Sequence, residues 1–257
     1  MSFMNKIFLS LFFVGLLCAG TALAQNKQSL HKVKTTHKTS KMHAQKENKD
    51  SEYNIPHDGS TRVKIFTDSG TIIVKLYDST ILHRDNFVKL VKEGFFDSLL
   101  FHRIIPQFMI QGGDPTSKYA QPGEMLGSGG GDMERIPAEF HQSYIHKKGA
   151  LAAARDGNPQ KASSACQFYL VEGKVITPAE LDMIEQQKGF KYTPEQRKIY
   201  TTIGGTPFLD QDYTVFGEIE HGFDVVHKII KAPRDSRDRP LGDIRMKIEL
   251  LTPATKQ

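Results

Sequence analysis

Residues 101–115 read FHRIIPQFMIQGGDP, and they mix residue types that usually stay apart. Strand-forming apolar residues (Phe101, Ile104, Ile105, Phe108, Met109, Ile110) surround one arginine, Arg103, and one amide, Gln111. An ionised guanidinium buried without a partner is strongly unfavourable, so Arg103 must either reach solvent or serve a purpose. The stretch reads as a strand, a turn at Pro106-Gln107, and a second strand. With continuous pairing, Arg103, Met109 and Gln111 share one face, because side chains alternate. A bulge at Pro106 would shift that register.

Working outward, the same period of two returns from Thr61 onward. RVKIFT sets Val63 and Ile65 against polar neighbours, DSG is a turn, and TIIVKLY places Ile72, Val74 and Leu76 on one side, which predicts a β-hairpin. A short helix follows in NFVKLVKEG, where Phe87, Leu90 and Val91 fall at i, i+3 and i+4 and Gly94 is the stop. Further strands are predicted over residues 149–154, 166–171, 213–219 and 245–250. TPAELDMIEQQKG offers Thr177 as N-cap, Pro178 at the first helical position, Glu180 closing a capping box and Gly189 as stop. TPEQRKIYTTIGG repeats the device with Thr193, Pro194 and Gln196, so two short helices sit between two strands. Many short strands with few helices argue for an all-β barrel or sandwich.

Several chemistries find no support in the motifs. There is no Gly-x-Ser-x-Gly elbow, no His-Glu-x-x-His helix and no Cys-x-x-Cys pair. Cys166, in ASSACQFYL, reads as a core residue rather than a nucleophile, and His141 and His146 as surface or satisfied histidines, so no metal site is expected. The loop GEMLGSGGGDMERIP lacks a following Gly-Lys-Ser/Thr and reads as a mobile surface loop.

The chain has 257 residues, 39% apolar and 25% charged, with a formal charge of +5. Its first residues carry Lys6, an apolar run over 7–17 and the small-x-small ending Ala22-Leu23-Ala24, which predicts a signal peptide over 1–24. The apolar run is short for a retained membrane anchor. Leu17 stands where a lipoprotein signal ending at Cys18 wants a small residue. Export to a periplasm is the favoured reading, with secretion or lipid anchoring behind it. Cleavage after Ala24 would leave Cys166 as the sole cysteine, so no internal disulfide is expected. Residues 25–60 hold seven lysines against four acids and few large apolar residues, which predicts a basic disordered linker. Without interleaved aromatic residues it offers no nucleic-acid site, and no firm membrane contact is expected. The folded domain is placed at residues 61–253.

The stretch quoted first resembles the signature of the cyclophilin family of peptidyl-prolyl cis-trans isomerases. Four further matches follow in order: IPAEF at 136–140, GALAAAR at 149–155, QFYL at 167–170 and FLDQDYTVFGEI at 208–219. The resemblance implies an all-β fold, a closed eight-stranded antiparallel barrel capped by helices, with an active site on its outer surface and no cofactor. It makes Arg103 the catalytic arginine and Gln111 the amide that holds the substrate backbone. Phe108, Met109, Tyr169 and Leu209 become walls of the proline pocket. Ala154, Arg155 and Gln167 match the strand and rim along which the peptide lies, Arg155 mainly through its main chain. Phe208 stands where eukaryotic members often have tryptophan, Tyr213 where they often have histidine, and Tyr169 where phenylalanine is usual. Against the family, residues 173–206 read as a helical insertion beside the substrate groove. The implied partners are proline-containing peptides and unfolded client proteins, bound by a monomer. The rival reading is a proline-peptide binding or holdase module whose turnover is incidental.

Overall fold

The structure, a computed structural model, describes residues 53, 55–56 and 58–251. The predicted leader, most of the basic linker and the last residues of the chain lie outside the described residues. No helix among the described residues is long and apolar enough to cross a membrane.

Strands β1 (Arg62–Thr67) and β2 (Gly70–Leu76) form the predicted hairpin, paired from Arg62↔Lys75 to Thr67↔Gly70. Val63, Ile65, Ile72, Val74 and Leu76 are fully buried, as the alternation requires. The polar face is not solvated as the pattern suggests. Arg62 is buried between Asp58 (2.7 Å) and Glu220 (2.6 Å), and Lys64 lies over the rings of Tyr53 and Phe66. Ionic and cation–π partners make that burial tolerable.

The remaining strands are β3 (Phe101–Ile105), β4 (Met109–Gly112), β5 (Ala150–Ala153), β6 (Phe168–Val171), β7 (Val215–His221) and β8 (Lys247–Leu250). All pair antiparallel in one eight-stranded sheet of order β3-β4-β6-β5-β7-β2-β1-β8. Register shifts in the β2–β7, β3–β4 and β5–β7 pairs add bends to its twist.

The expected closed barrel does not form. Among the described residues the end strands β3 and β8 share no ladder, and the sheet is a half-barrel. The outer edge of β3 meets the irregular chain over 238–246 instead. Ile104 N donates to Asp238 O and Phe101 N to Ile244 O, both at 2.9 Å, and a single bridge joins Leu100 to Arg245. Pro240 has no amide proton and Arg239 and Asp243 break the apolar alternation, so this segment covers the edge without extending the sheet.

Helix α1 (Ile81–Lys92) starts earlier than predicted. Glu139, from the IPAEF stretch, accepts from the backbone amides of Leu82 and His83 and from His83 Nδ1, capping the helix from outside its own sequence. The two predicted capping boxes are present in α2 (Pro178–Lys188) and α3 (Pro194–Thr202), and Gly189 ends α2 in the left-handed region at φ 73°. Helix α4 (Phe223–Ile229) went unread in the sequence.

Alternation splits the sheet into two apolar faces. One packs Ile65, Val74, Leu76, Leu151, Leu170 and Ile110 against Phe87, Leu90 and Val91 of α1 and Val225, Val226 and Ile229 of α4. The other face holds Met109, Ala150, Ala152, Ala154, Tyr169, Val171 and Val215, and among the described residues no α-helix packs into that cluster. That second face is the one that can be offered to a ligand.

Candidate active site

Arg103 and Gln111 are direct partners across β3–β4, followed by Ile104↔Ile110 and Ile105↔Met109. The register is therefore continuous through the turn, and the bulge lies on the other side, between Phe101 and Arg103. The turn residue Gln107 adopts φ 61°, and its amide donates to the Glu172 carboxylate at 2.6 Å. Arg103, Met109 and Gln111 consequently share the second face, as the alternation predicts. The Arg103 side chain is half-buried and, among the described residues, has no hydrogen-bonding or ion-pair partner.

Beside it lies the apolar cluster. Met109, Tyr169 and Ala154 are buried in it, and Phe108, Leu209 and Tyr213 pack against it half-buried. Phe208 is 50% exposed at the margin, its ring 5.7 Å from that of Phe108. Leu209 and Phe208 come from the 3-10 turn Pro207–Leu209. Tyr213 meets Tyr169 edge-on at 6.1 Å, and Arg155 covers its other side at 4.6 Å. The Arg155 side chain also donates from Nε to Asp212 O at 2.7 Å, so it is anchored beside Tyr213.

Gln111 Nε2 donates to Gln167 Oε1 at 3.0 Å, and Gln167 Nε2 in turn donates to the carbonyls of Gly127 and Gly129 at 3.0 and 2.9 Å. Those two glycines also donate their amides to Asp114 Oδ2. The glycine-rich loop, read as mobile from its composition, is thus tied down at four points. The signal that could have revealed this is Asp114 at the end of the opening stretch. Cβ atoms at Gly129 and Gly130 would lie 2.0 Å from Asp114 Oδ1 and 2.4 Å from Cys166 Sγ, which explains why glycine is used there.

Two hollows flank Gln111. One, of about 360 Å³, lies between the glycine loop and Ala154, Arg155 and Gln167. The other, of about 280 Å³, is bordered by His102, Arg103, Arg237 and Arg239. Both are lined by mixed polar and apolar groups and share Gln111 and the start of the glycine loop, Gly127 and Ser128. Cys166 is buried, and burial pushes its thiol pKa up, as expected of a core residue. Among the described residues no group of three or more histidine, cysteine, aspartate or glutamate side chains is placed to hold a metal ion.

All eleven residues proposed from the sequence lie on or beside this one face. What sequence reasoning missed is the layer behind it. His146 is buried with Nδ1 2.7 Å from Asp210 Oδ1 and Nε2 2.9 Å from the Tyr169 hydroxyl.

Residues 62–249 match the family described as cyclophilin type peptidyl-prolyl cis-trans isomerase/CLD. A putative peptidyl-prolyl cis-trans isomerase of Staphylococcus haemolyticus is 34% identical over 188 residues, covering 73% of this chain and 89% of that protein. The corresponding protein of Staphylococcus aureus strain USA300 is 33% identical over 187 residues, with 72% and 89% covered. A putative bifunctional phosphatase/peptidyl-prolyl cis-trans isomerase of Streptococcus pyogenes is 35% identical over 188 residues, 71% of this chain but only 37% of that protein. The crystal structure of a cyclophilin type isomerase from Cryptosporidium parvum shares the fold, with TM-score 0.56 and 22% identity over 76% of this chain and 99% of that one. By the match across its folded residues and by these relatives, the chain belongs to the cyclophilin family and is a peptidyl-prolyl cis-trans isomerase.

Proposed function

We propose that Arg103 is the catalytic residue of this isomerase, that Gln111 holds the substrate backbone, and that Phe108, Met109, Tyr169 and Leu209 seat the proline ring. The observation that carries this reading is a half-buried guanidinium without a hydrogen-bonding or ion-pair partner among the described residues, opposite Gln111 and on the face of the Met109–Tyr169 cluster. Amide resonance sets a barrier of about 18–20 kcal/mol to rotation about an X-Pro bond. No nucleophile is needed to lower it. With the ring seated in the apolar cluster, the carbonyl side turns while Arg103 donates to the imide nitrogen, whose lone pair is no longer delocalised in the twisted state. Stabilising that state by about 7 kcal/mol would correspond to about a 10⁵-fold acceleration. Arginine fits this role because its fork is rigid and always charged.

Ala154, Arg155 and Gln167 border the track for the rest of the peptide, with Phe208 and Tyr213 at its margin. Substrates are proline-containing segments of client proteins; a second structure of the Cryptosporidium parvum protein was solved in the presence of the dipeptide Ala-Pro. The signal-peptide pattern supports action on exported proteins, most naturally in a periplasm, with the domain spanning about 61–253 and residues 173–206 added to the family framework.

A chaperone contribution is favoured by one observation. Val175, Met183 and Ile203, all within 173–206, are more than half exposed, as a surface for unfolded clients would be. The core reading is tested by a protease-coupled isomerisation assay on the chain starting at Gln25. Turnover of an Ala-Pro peptide well above the uncatalysed rate is expected, and its absence would overturn the assignment of this face as the active site.

A further inference from the structure

The helical segment between β6 and β7 reaches the back of the pocket wall through one carboxylate. Asp210 follows the 3-10 turn that bears Phe208 and Leu209, and it is 1% exposed. Its Oδ1 accepts from the backbone amide of His146 at 2.8 Å and from Nδ1 of that ring at 2.7 Å. Its Oδ2 accepts from the hydroxyls of Tyr192, between α2 and α3, at 2.8 Å and Tyr200, on α3, at 2.5 Å. Four donors therefore satisfy one buried carboxylate. A proton on His146 Nδ1 leaves Nε2 as an acceptor, and the Tyr169 hydroxyl donates to it at 2.9 Å. The extra hydroxyl that tyrosine brings to this pocket position is thereby satisfied, behind the wall rather than in the pocket.

The segment is itself stiff where it makes these contacts. Tyr192 and Tyr200 are buried with Ile145, Ile176 and Leu181 in a small core of their own. Glu185 of α2 accepts from the Tyr192 amide at 3.1 Å and pairs with Lys191 and Arg197, which fixes the turn into α3. After α3 the chain passes Gly205, which forms isolated bridges with both Lys147, ahead of β5, and Lys174, after β6. A Cβ there would lie 2.2 Å from His146 O, so only glycine permits the approach. From the other side, Lys188 Nζ at the end of α2 donates to Asp210 O at 2.6 Å and pairs with Asp212 at 2.5 Å, next to Tyr213.

We infer that Tyr192 and Tyr200 are positioning residues for proline binding: through Asp210 and His146 they fix the orientation of Tyr169 and the placement of Leu209, and Lys188 anchors the same stretch at Asp212. The α2–α3 segment is then a brace for the pocket rather than a lid over it. This rests on the pocket assignment above. Removing both hydroxyls leaves a buried carboxylate with half its donors, so Asp210 and the groups tied to it must rearrange. A misplaced wall weakens the hold on the proline ring in ground and transition states alike, which raises KM and leaves kcat unchanged. Simple loss of folded protein does the reverse, lowering apparent kcat at constant KM.

The test is steady-state kinetics of the Tyr192→Phe/Tyr200→Phe double variant beside the unaltered chain, on a Suc-Ala-X-Pro-type peptide. A KM raised about fivefold to tenfold with kcat within about twofold is expected. Unchanged KM, with or without a fall in kcat, would overturn the brace. Absence of turnover by the unaltered chain would instead overturn the pocket reading beneath it, and this inference with it. Should the double variant not fold, Lys188→Met, which keeps the apolar stem but removes both contacts, is read by the same criterion with an expected rise in KM of about threefold.

Discussion

Arg103 and Gln111 face each other across the β3–β4 ladder, yet among the described residues only the Gln111 side chain is hydrogen-bonded, through Gln167 to the glycine loop. One member of the pair is held by the fold, and among the described residues the other has no hydrogen-bonding or ion-pair partner.

This asymmetry separates activity from stability at Arg103. Because the guanidinium has no internal partner among the described residues, Arg103→Lys is expected to leave the melting temperature within about 2 °C of the parent. A lysine retains charge but loses the planar fork, so kcat/KM should fall about 100-fold or more. In the parent, kcat/KM should stay nearly flat between about pH 6 and 8, because the proposed mechanism uses no general acid or base. Near-normal turnover by the lysine variant would remove Arg103 from the mechanism.

Gln167 behaves oppositely, since it ties the Gln111 amide to the carbonyls of Gly127 and Gly129. Gln167→Leu should cost about 1–3 kcal/mol of stability by leaving buried polar groups unpaired. It should also lower kcat/KM about tenfold by freeing Gln111 and the loop. Amide exchange at Gly127 and Gly129 is the sharper readout: protection equal to that of the parent would show that the loop does not depend on Gln167.

Acid sensitivity should come in part from His102. Burial pushes its pKa down to about 4, with the Asp114 carboxylate pulling the other way. The unfolded chain therefore binds a proton there below about pH 6.5, whereas the folded chain binds it only near pH 4. Stability linked to this group is complete above that upper value and is lost as the pH falls through the window, by on the order of 3 kcal/mol. Urea midpoints at pH 7 and pH 4.5 should thus lie closer together in His102→Leu than in the parent. An equal drop in both would exonerate His102.

The exposed apolar residues of the helical segment allow a separate test of chaperone action. Val175→Glu, Met183→Glu and Ile203→Glu together should leave peptide turnover within about twofold, because none of these side chains is part of the pocket. Refolding of a proline-limited whole protein should slow about threefold or more if clients dock there. Equal refolding rates would dismiss the surface.

Much of the site was legible because its residues occupy continuous, patterned stretches. The alternation in FHRIIPQFMIQGG put Arg103, Met109 and Gln111 on one face, and the capping boxes at Thr177 and Thr193 marked both helix starts. Local signals of this kind depend on neighbours two to four residues away, which the chain order itself records. Helix α4 was missed because FDVVHKI is short and rich in β-branched residues, and its helical form depends on docking against β2.

By itself, then, the sequence determined the β-rich class, the β1–β2 hairpin, the caps of α2 and α3 and the alternation that puts Arg103, Met109 and Gln111 on one face. The tertiary structure alone decided that the strand ladder stays open between β3 and β8, that the glycine loop is anchored by Asp114 and Gln167, and that Tyr169 is backed by His146, Asp210, Tyr192 and Tyr200. The reason is the same in each case. A buried polar group must find its partner wherever the fold brings one, and those partners lie 64 positions apart for His146 and Asp210 and 143 apart for Phe101 and Ile244, beyond the reach of any local pattern.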